Sequence, residues 1–264
     1  MRMARRGLTV GNWKMALSHK AAHELALSLT HGDQARTSDI CEIVVCPSYP
    51  SLPGVADVLQ HSEIAVGAQH VHWEERGAWT GQVSVSQISP FVRWCIVGHS
   101  EQRMLIHMTD AQAVQAAELL VRHDITPIVC IGETAVERER DETVAVVTRQ
   151  TKALLAGLHR AAIARLVIAY EPIWAISTAG FGEVPDPADV SGILLLVRKL
   201  IAARFDDDLA QRVRLLYGGS VQPATVGNYA QEPGIDGVLV GAASLHPADF
   251  MQIAETIGAA VDAR

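Results

Sequence analysis

Runs rich in Val, Ile and Leu recur along the chain at residues 8–10, 43–46, 64–68, 94–97, 126–131, 166–170, 213–217 and 237–240. Between them lie longer stretches, clearest at 110–123, 136–159, 187–204 and 247–260, with apolar residues at three- and four-residue spacing. The first pattern predicts strands and the second amphipathic helices. The strand runs are continuously apolar, which predicts burial on both faces, and their alternation with helices predicts parallel pairing through right-handed crossovers. Eight such units close on themselves, so the expected fold is α/β: a single-domain (β/α)8 barrel over residues 1–264 with a parallel eight-stranded sheet. An open doubly wound sheet is the alternative, but it normally carries its phosphate-binding glycines after the first strand. Here the first strand runs into Asn12-Trp13-Lys14, and the glycines follow the seventh and eighth strands at Gly218-Gly219 and Gly241.

One connection stands apart. Segment 69–82 is long for a strand-to-helix loop and holds Trp73 and Trp79. It would leave apolar surface unburied in a monomer, so an oligomer contact is expected there. Composition adds exclusions rather than detail. A hydrophobic fraction of 49% with 19% charged residues rules against a disordered or fibrous chain. A net charge of -7 argues against a broad basic footprint for nucleic acid or an anionic membrane, although a local phosphate site remains compatible with it. Cys41, Cys46, Cys95 and Cys130 form no C-x-x-C pair and lie in or beside apolar runs, which predicts buried, reduced thiols. No apolar run reaches the roughly 18 residues of a membrane span. The expectation is a cytoplasmic protein with a small substrate.

Strand ends on one face of a barrel converge, so Asn12 and Lys14, His99 and Glu101, and Glu171 can meet despite their distance in sequence. A carboxylate in a water-poor pocket can take a proton from carbon and return it, a lysine can offset charge on oxygen, and a neutral donor can stabilise an enediolate. An isolated Glu usually pairs with or caps a helix, and an isolated His is usually structural. Glu171 is followed by Pro172-Ile173-Trp174 and a loop, which favours the chemical reading there, while for the histidine both readings stay open at this point. Backbone N–H groups of Gly218, Gly219, Ser220, Gly241 and Ala242 offer an anion nest without bulky side chains. No metal-ligand cluster accompanies them, and the chemistry needs no cofactor.

Six motifs in order, Gly11-Asn12-Trp13-Lys14-Met15, Val97-Gly98-His99-Ser100-Glu101, Cys130-Ile131-Gly132-Glu133, Ala169-Tyr170-Glu171-Pro172-Ile173-Trp174-Ala175, Tyr217-Gly218-Gly219-Ser220-Val221 and Asp236-Gly237-Val238-Leu239-Val240-Gly241, closely resemble the signature set of the triosephosphate isomerase family. The resemblance implies a TIM barrel that interconverts D-glyceraldehyde 3-phosphate and dihydroxyacetone phosphate in glycolysis and gluconeogenesis. It makes Glu171 the base, His99 a neutral donor at a helix N-terminus, Lys14 the cation, Asn12 its hydrogen-bonding support and Glu101 its charge partner. It also implies a lid over residues 172–182, with the Ser177 N–H on the substrate phosphate. A homodimer follows, in which Thr80 reaches the neighbouring subunit's site and supports Asn12 and Lys14.

The chain departs from the family's pattern in several places. Ser177 and Ala179 stand where the lid tip usually has glycines, and Gly180-Phe181-Gly182 replaces the usual Lys-Thr-Ala hinge. After His99-Ser100-Glu101 the family commonly has two arginines and later Gly-Glu, whereas this chain has Gln102-Arg103 and His107-Met108. A cation and an anion are lost together, which predicts a compensated change rather than an orphaned charge. Ala242 replaces a phosphate-site glycine. The altered lid motivates an alternative substrate, a tetrulose phosphate such as erythrulose phosphate. A non-catalytic phosphosugar-binding barrel is the reading from another class, opposed by the presence of Lys14, His99 and Glu171. A Schiff-base lysine is a further option for Lys14, opposed by its place on the first strand.

Overall fold

The computed structural model describes residues 5–30, 37, 39–176 and 184–264. Eight parallel strands close a barrel in sequence order: β1 (Gly7–Asn12), β2 (Cys41–Cys46), β3 (Ile64–Ala68), β4 (Trp94–Val97), β5 (Thr126–Ile131), β6 (Val167–Tyr170), β7 (Arg214–Tyr217) and β8 (Gly237–Val240). The first strand completes the ring by pairing with β2 on one side, Asn12 opposite Cys46, and with β8 on the other, Gly11 opposite Val240.

Successive side chains of a strand point to opposite faces. Leu8 and Val10 of β1, Val44 and Cys46 of β2, and Ile128 and Cys130 of β5 therefore fill the barrel interior, while Ile43, Val45, Val129 and Ile131 join the larger core under the helices. Burial on both sides is the reason these strands read as unbroken apolar runs. All four cysteines are free and buried, and burial pushes the Cys46 and Cys130 thiols well above the ordinary range.

Three of the four stretches read as helices from periodicity are helices where expected, at Asp110–Arg122, Pro187–Arg204 and Pro247–Asp262. The stretch 136–159 is a correction, because it divides into Ala135–Glu139 and Thr143–Gly157. Asp141 sits between them at φ 57, a left-handed conformation that ends a helix and that Asp tolerates better than most residues. The charged run 137–142 gives this bend no apolar face to bury. Each of the segments opening at Thr109 and Thr134 starts with a reciprocal capping box, to Gln112 and Glu137 respectively.

At the amino ends of the strands, Asp236 accepts Arg5 Nε at 2.7 Å on one oxygen, and Arg198 Nη2 at 2.7 Å and the Leu215 N–H at 2.9 Å on the other. The loop after β3 is ordered by stacking. The His72 ring lies 4.1 Å from Trp73 and 4.6 Å from Trp79, centroid to centroid, leaving Trp79 49% exposed and the neighbouring Thr80 in solvent. At the altered segment, Met108 is in the core, and Arg103 pairs with Asp110 at 2.6 Å while also donating to the carbonyls of Gly98 and Cys130. The lost cation and anion leave no stranded partner at Arg103, as a compensated change requires.

Candidate active site

A cavity of about 280 Å³ opens at the carboxyl ends of the strands, lined by Asn12, Lys14, His99, Glu171, the Gly218–Ser220 backbone and Gly241–Ala243. Lys14 is the residue on which β1 turns, at φ 48. Such a conformation costs a β-substituted residue roughly 1 kcal/mol, so neighbouring bonds must hold it. Its N–H donates to Asn12 Oδ1 at 3.1 Å, and its carbonyl accepts Gln69 Nε2 at 2.8 Å. Asn12 thus supports Lys14 through the backbone rather than at the ammonium. The ammonium donates to Glu101 Oε1 at 2.6 Å, which fixes the side chain beside the cavity.

His99 is the N-cap of the helix Ser100–Leu105, and its Nδ1 accepts the Glu101 N–H at 3.2 Å. A neutral ring that accepts at Nδ1 carries its hydrogen on Nε2. That nitrogen lies 3.2 Å from Glu171 Oε1. Glu171 follows β6, is 2% exposed, and has Oε2 held by the Ser100 N–H at 3.0 Å. The contact between Nε2 and Oε1 is close but poorly aligned for a hydrogen bond, so Oε1 is buried without a donor. One oxygen is anchored and the other has no hydrogen bond.

The phosphate-nest candidates also line the cavity. Gly218 N–H is occupied by the Tyr170 carbonyl at 2.8 Å, which extends the β6–β7 ladder, and a Cβ on Gly219 would lie 2.2 Å from the Tyr217 hydroxyl. Only glycine fits at 219. Ser220 Oγ donates to the Ala175 carbonyl at 2.9 Å, tying the segment after Glu171 to the loop after β7. Ser177 and the 180–182 hinge lie outside the described residues.

A model of the triosephosphate isomerase family matches residues 7–257. The chain belongs to the triosephosphate isomerase family. It is 40% identical to the triosephosphate isomerase of Clostridium novyi, with 94% of this chain and 98% of that relative covered. Identity to the triosephosphate isomerase of Rhodopirellula baltica is 38%, covering 95% and 97%, and to that of Syntrophotalea carbinolica 40%, covering 94% and 97%. The triosephosphate isomerase family gives the barrel fold its name, so the barrel is shared with it rather than new to this chain.

Gln69 and Gln150 went unread in the sequence as parts of this site, and Glu133 stood in a signature motif without an assigned role. Gln69 holds Lys14 and also donates to the Cys46 carbonyl at 3.0 Å. Glu133 is buried and accepts Trp174 Nε1 at 2.7 Å and the Tyr170 hydroxyl at 3.1 Å; desolvation raises its pKa, with those donors opposing the shift. Gln150 is bonded to Gly132, directly behind Glu171. The available signal was a polar side chain on an apolar helix stripe, as at Gln150 between Val146, Val147 and Leu154. Among the described residues no helix is long and apolar enough to cross a membrane.

Proposed function

We propose that this chain interconverts D-glyceraldehyde 3-phosphate and dihydroxyacetone phosphate, a reading supported by its similarity to proteins named triosephosphate isomerase, and so serves glycolysis and gluconeogenesis in the cytoplasm. The observation that carries the reading is the divided Glu171 carboxylate, with Oε2 fixed by the Ser100 N–H and Oε1 unpaired beside the hydrogen-bearing Nε2 of His99. Oε1 removes a proton from the carbon next to the carbonyl. The electron pair moves into an enediolate, whose oxygens receive a hydrogen bond from His99 Nε2–H and the field of the Lys14 ammonium. Glu171 then returns the proton to the adjacent carbon, while His99 Nε2 donates its hydrogen to one enediolate oxygen and takes up the hydroxyl proton from the other, so atoms and electrons balance without a co-reactant. Asn12 and Glu101 hold Lys14 in place. The backbone of Ser220, Gly241 and Ala242 receives the phosphate dianion, joined by Ser177 N–H. The active form is a homodimer in which Thr80 enters the neighbouring subunit, consistent with its exposed position beside half-exposed Trp79.

Steady-state isomerisation of glyceraldehyde 3-phosphate beside erythrulose 1-phosphate, on one purified sample, tests the assignment. A higher kcat/KM for the triose is expected. Preference for the tetrulose would overturn the substrate, and turnover of neither would overturn the reaction.

A further inference from the structure

Gln150 lies on the apolar stripe of the helix Thr143–Gly157 and is 5% exposed. Both halves of its amide serve one residue: the Gly132 N–H donates to Oε1 at 2.8 Å, and Nε2 donates to the Gly132 carbonyl at 3.3 Å. Burying a primary amide among apolar side chains is costly unless both its donor and acceptor functions are used. An apolar side chain would pack there without that demand. What the amide holds is therefore informative.

Gly132 continues the chain beyond β5, directly behind the backbone of Glu171. A Cβ added at Gly132 would lie 1.9 Å from the Glu171 carbonyl oxygen and 3.4 Å from its Cα. The Glu171 N–H donates to the Ile131 carbonyl at 2.8 Å, and the Ile173 N–H donates to the Glu133 carbonyl at 3.0 Å. Residues 131–133 thus form the wall against which the backbone of 171–173 rests. The outer face of that wall would otherwise present the Gly132 N–H and C=O to an apolar helix.

We infer that Gln150 is a positioning residue for Glu171, acting through Gly132. Its amide completes the hydrogen bonding of a buried peptide that has no strand on that side, and so fixes the surface on which the Glu171 main chain sits. The effect on chemistry rests on the reading of Glu171 as the base. Oε1 must meet a substrate carbon while Oε2 stays on the Ser100 N–H, and a displacement on the order of 1 Å at a reacting group can cost about a hundredfold in rate. The hydrogen bonds of Gln150 among the described residues go to Gly132 and none reaches the phosphate loops after β7 and β8, so substrate affinity is expected to stay nearly intact.

Three variants test the inference. Gln150→Leu is expected to lower kcat by roughly tenfold to a hundredfold with KM changed by less than about threefold. Val147→Ala, on the same helix and fully buried, is the control. It should lose stability through a cavity while keeping kcat. In Gln150→Glu an ionised carboxylate can accept from the Gly132 N–H but opposes its carbonyl, whereas the protonated acid donates to it. Its kcat relative to the parent should rise as pH falls, which a purely structural role would not produce. An unchanged kcat in Gln150→Leu, or an equal loss in Val147→Ala, overturns the inference. If the Leu variant does not fold, a flat pH ratio in the Glu variant overturns it. An inactive parent would count against the isomerase reading alone. The clamp is then read from the 13C resonance of the Glu171 carboxyl, which should move in Gln150→Leu and stay fixed in Val147→Ala; the reverse result overturns it.

Discussion

The two ends of the barrel are built from the same ingredients and finished differently. At the amino end the buried Asp236 has both oxygens occupied, one by Arg5 and the other by Arg198 and the Leu215 N–H. At the carboxyl end the equally buried Glu171 has one oxygen occupied and one without a donor, although the His99 ring and the Lys14 ammonium line the same cavity. Full pairing of a buried charge is what stability requires. An unpaired oxygen beside a left-handed lysine is a cost tolerated where chemistry needs a vacancy. Polarity and burial alone do not separate the two carboxylates; the vacancy does.

Exchanging the two losses gives the sharpest separation. Glu171→Gln should reduce kcat roughly a thousandfold, the size expected of a lost general base. Its stability should stay within about 1 kcal/mol of the parent, because the Ser100 N–H keeps an amide oxygen and the other atom had no partner to lose. Asp236→Ala should do the reverse. It strands the Arg198 guanidinium, 6% exposed, and the Leu215 N–H, and should cost roughly 3–5 kcal/mol in urea unfolding while the folded fraction keeps its kcat. A large stability loss in the first variant, or a matching kcat loss in the second, would mean that the two ends are not functionally distinct.

The amount of this contrast that can be read from sequence follows from how local each feature is. The strands are legible because both their faces are buried, so a run such as 126–131 announces itself without reference to its neighbours. The candidate reacting side chains Lys14, His99 and Glu171 are legible because each lies within four residues after such a run. The supports are not. Gln69 reaches Lys14, Gln150 reaches Gly132 and Trp174 reaches Glu133 across gaps that only barrel closure brings together. The break near Asp141 is a weaker failure of the same kind, since apolar spacing continues in phase on either side of a charged bend. Asn12 lines the cavity, but its bond to the Lys14 backbone depends on a dihedral that no spacing rule reveals.

The smallest effect concerns acid. His70, just past β3 at the carboxyl end, is 8% exposed, and its Nδ1 has no partner. Desolvation, with a smaller contribution from His72, lowers its pKa from 6.5 to about 4. The unfolded chain therefore takes up a proton below pH 6.5 that the folded chain refuses until about pH 4. Stability contributed by the neutral ring is complete above the unfolded value and is lost as pH falls toward the folded one. The slope is about 1.4 kcal/mol per pH unit between them, roughly 3 kcal/mol in total. His70→Asn removes the titration, so urea unfolding measured at pH 7, 5.5 and 4.5 should fall less steeply in the variant than in the parent. Parallel curves would remove His70 from the acid response.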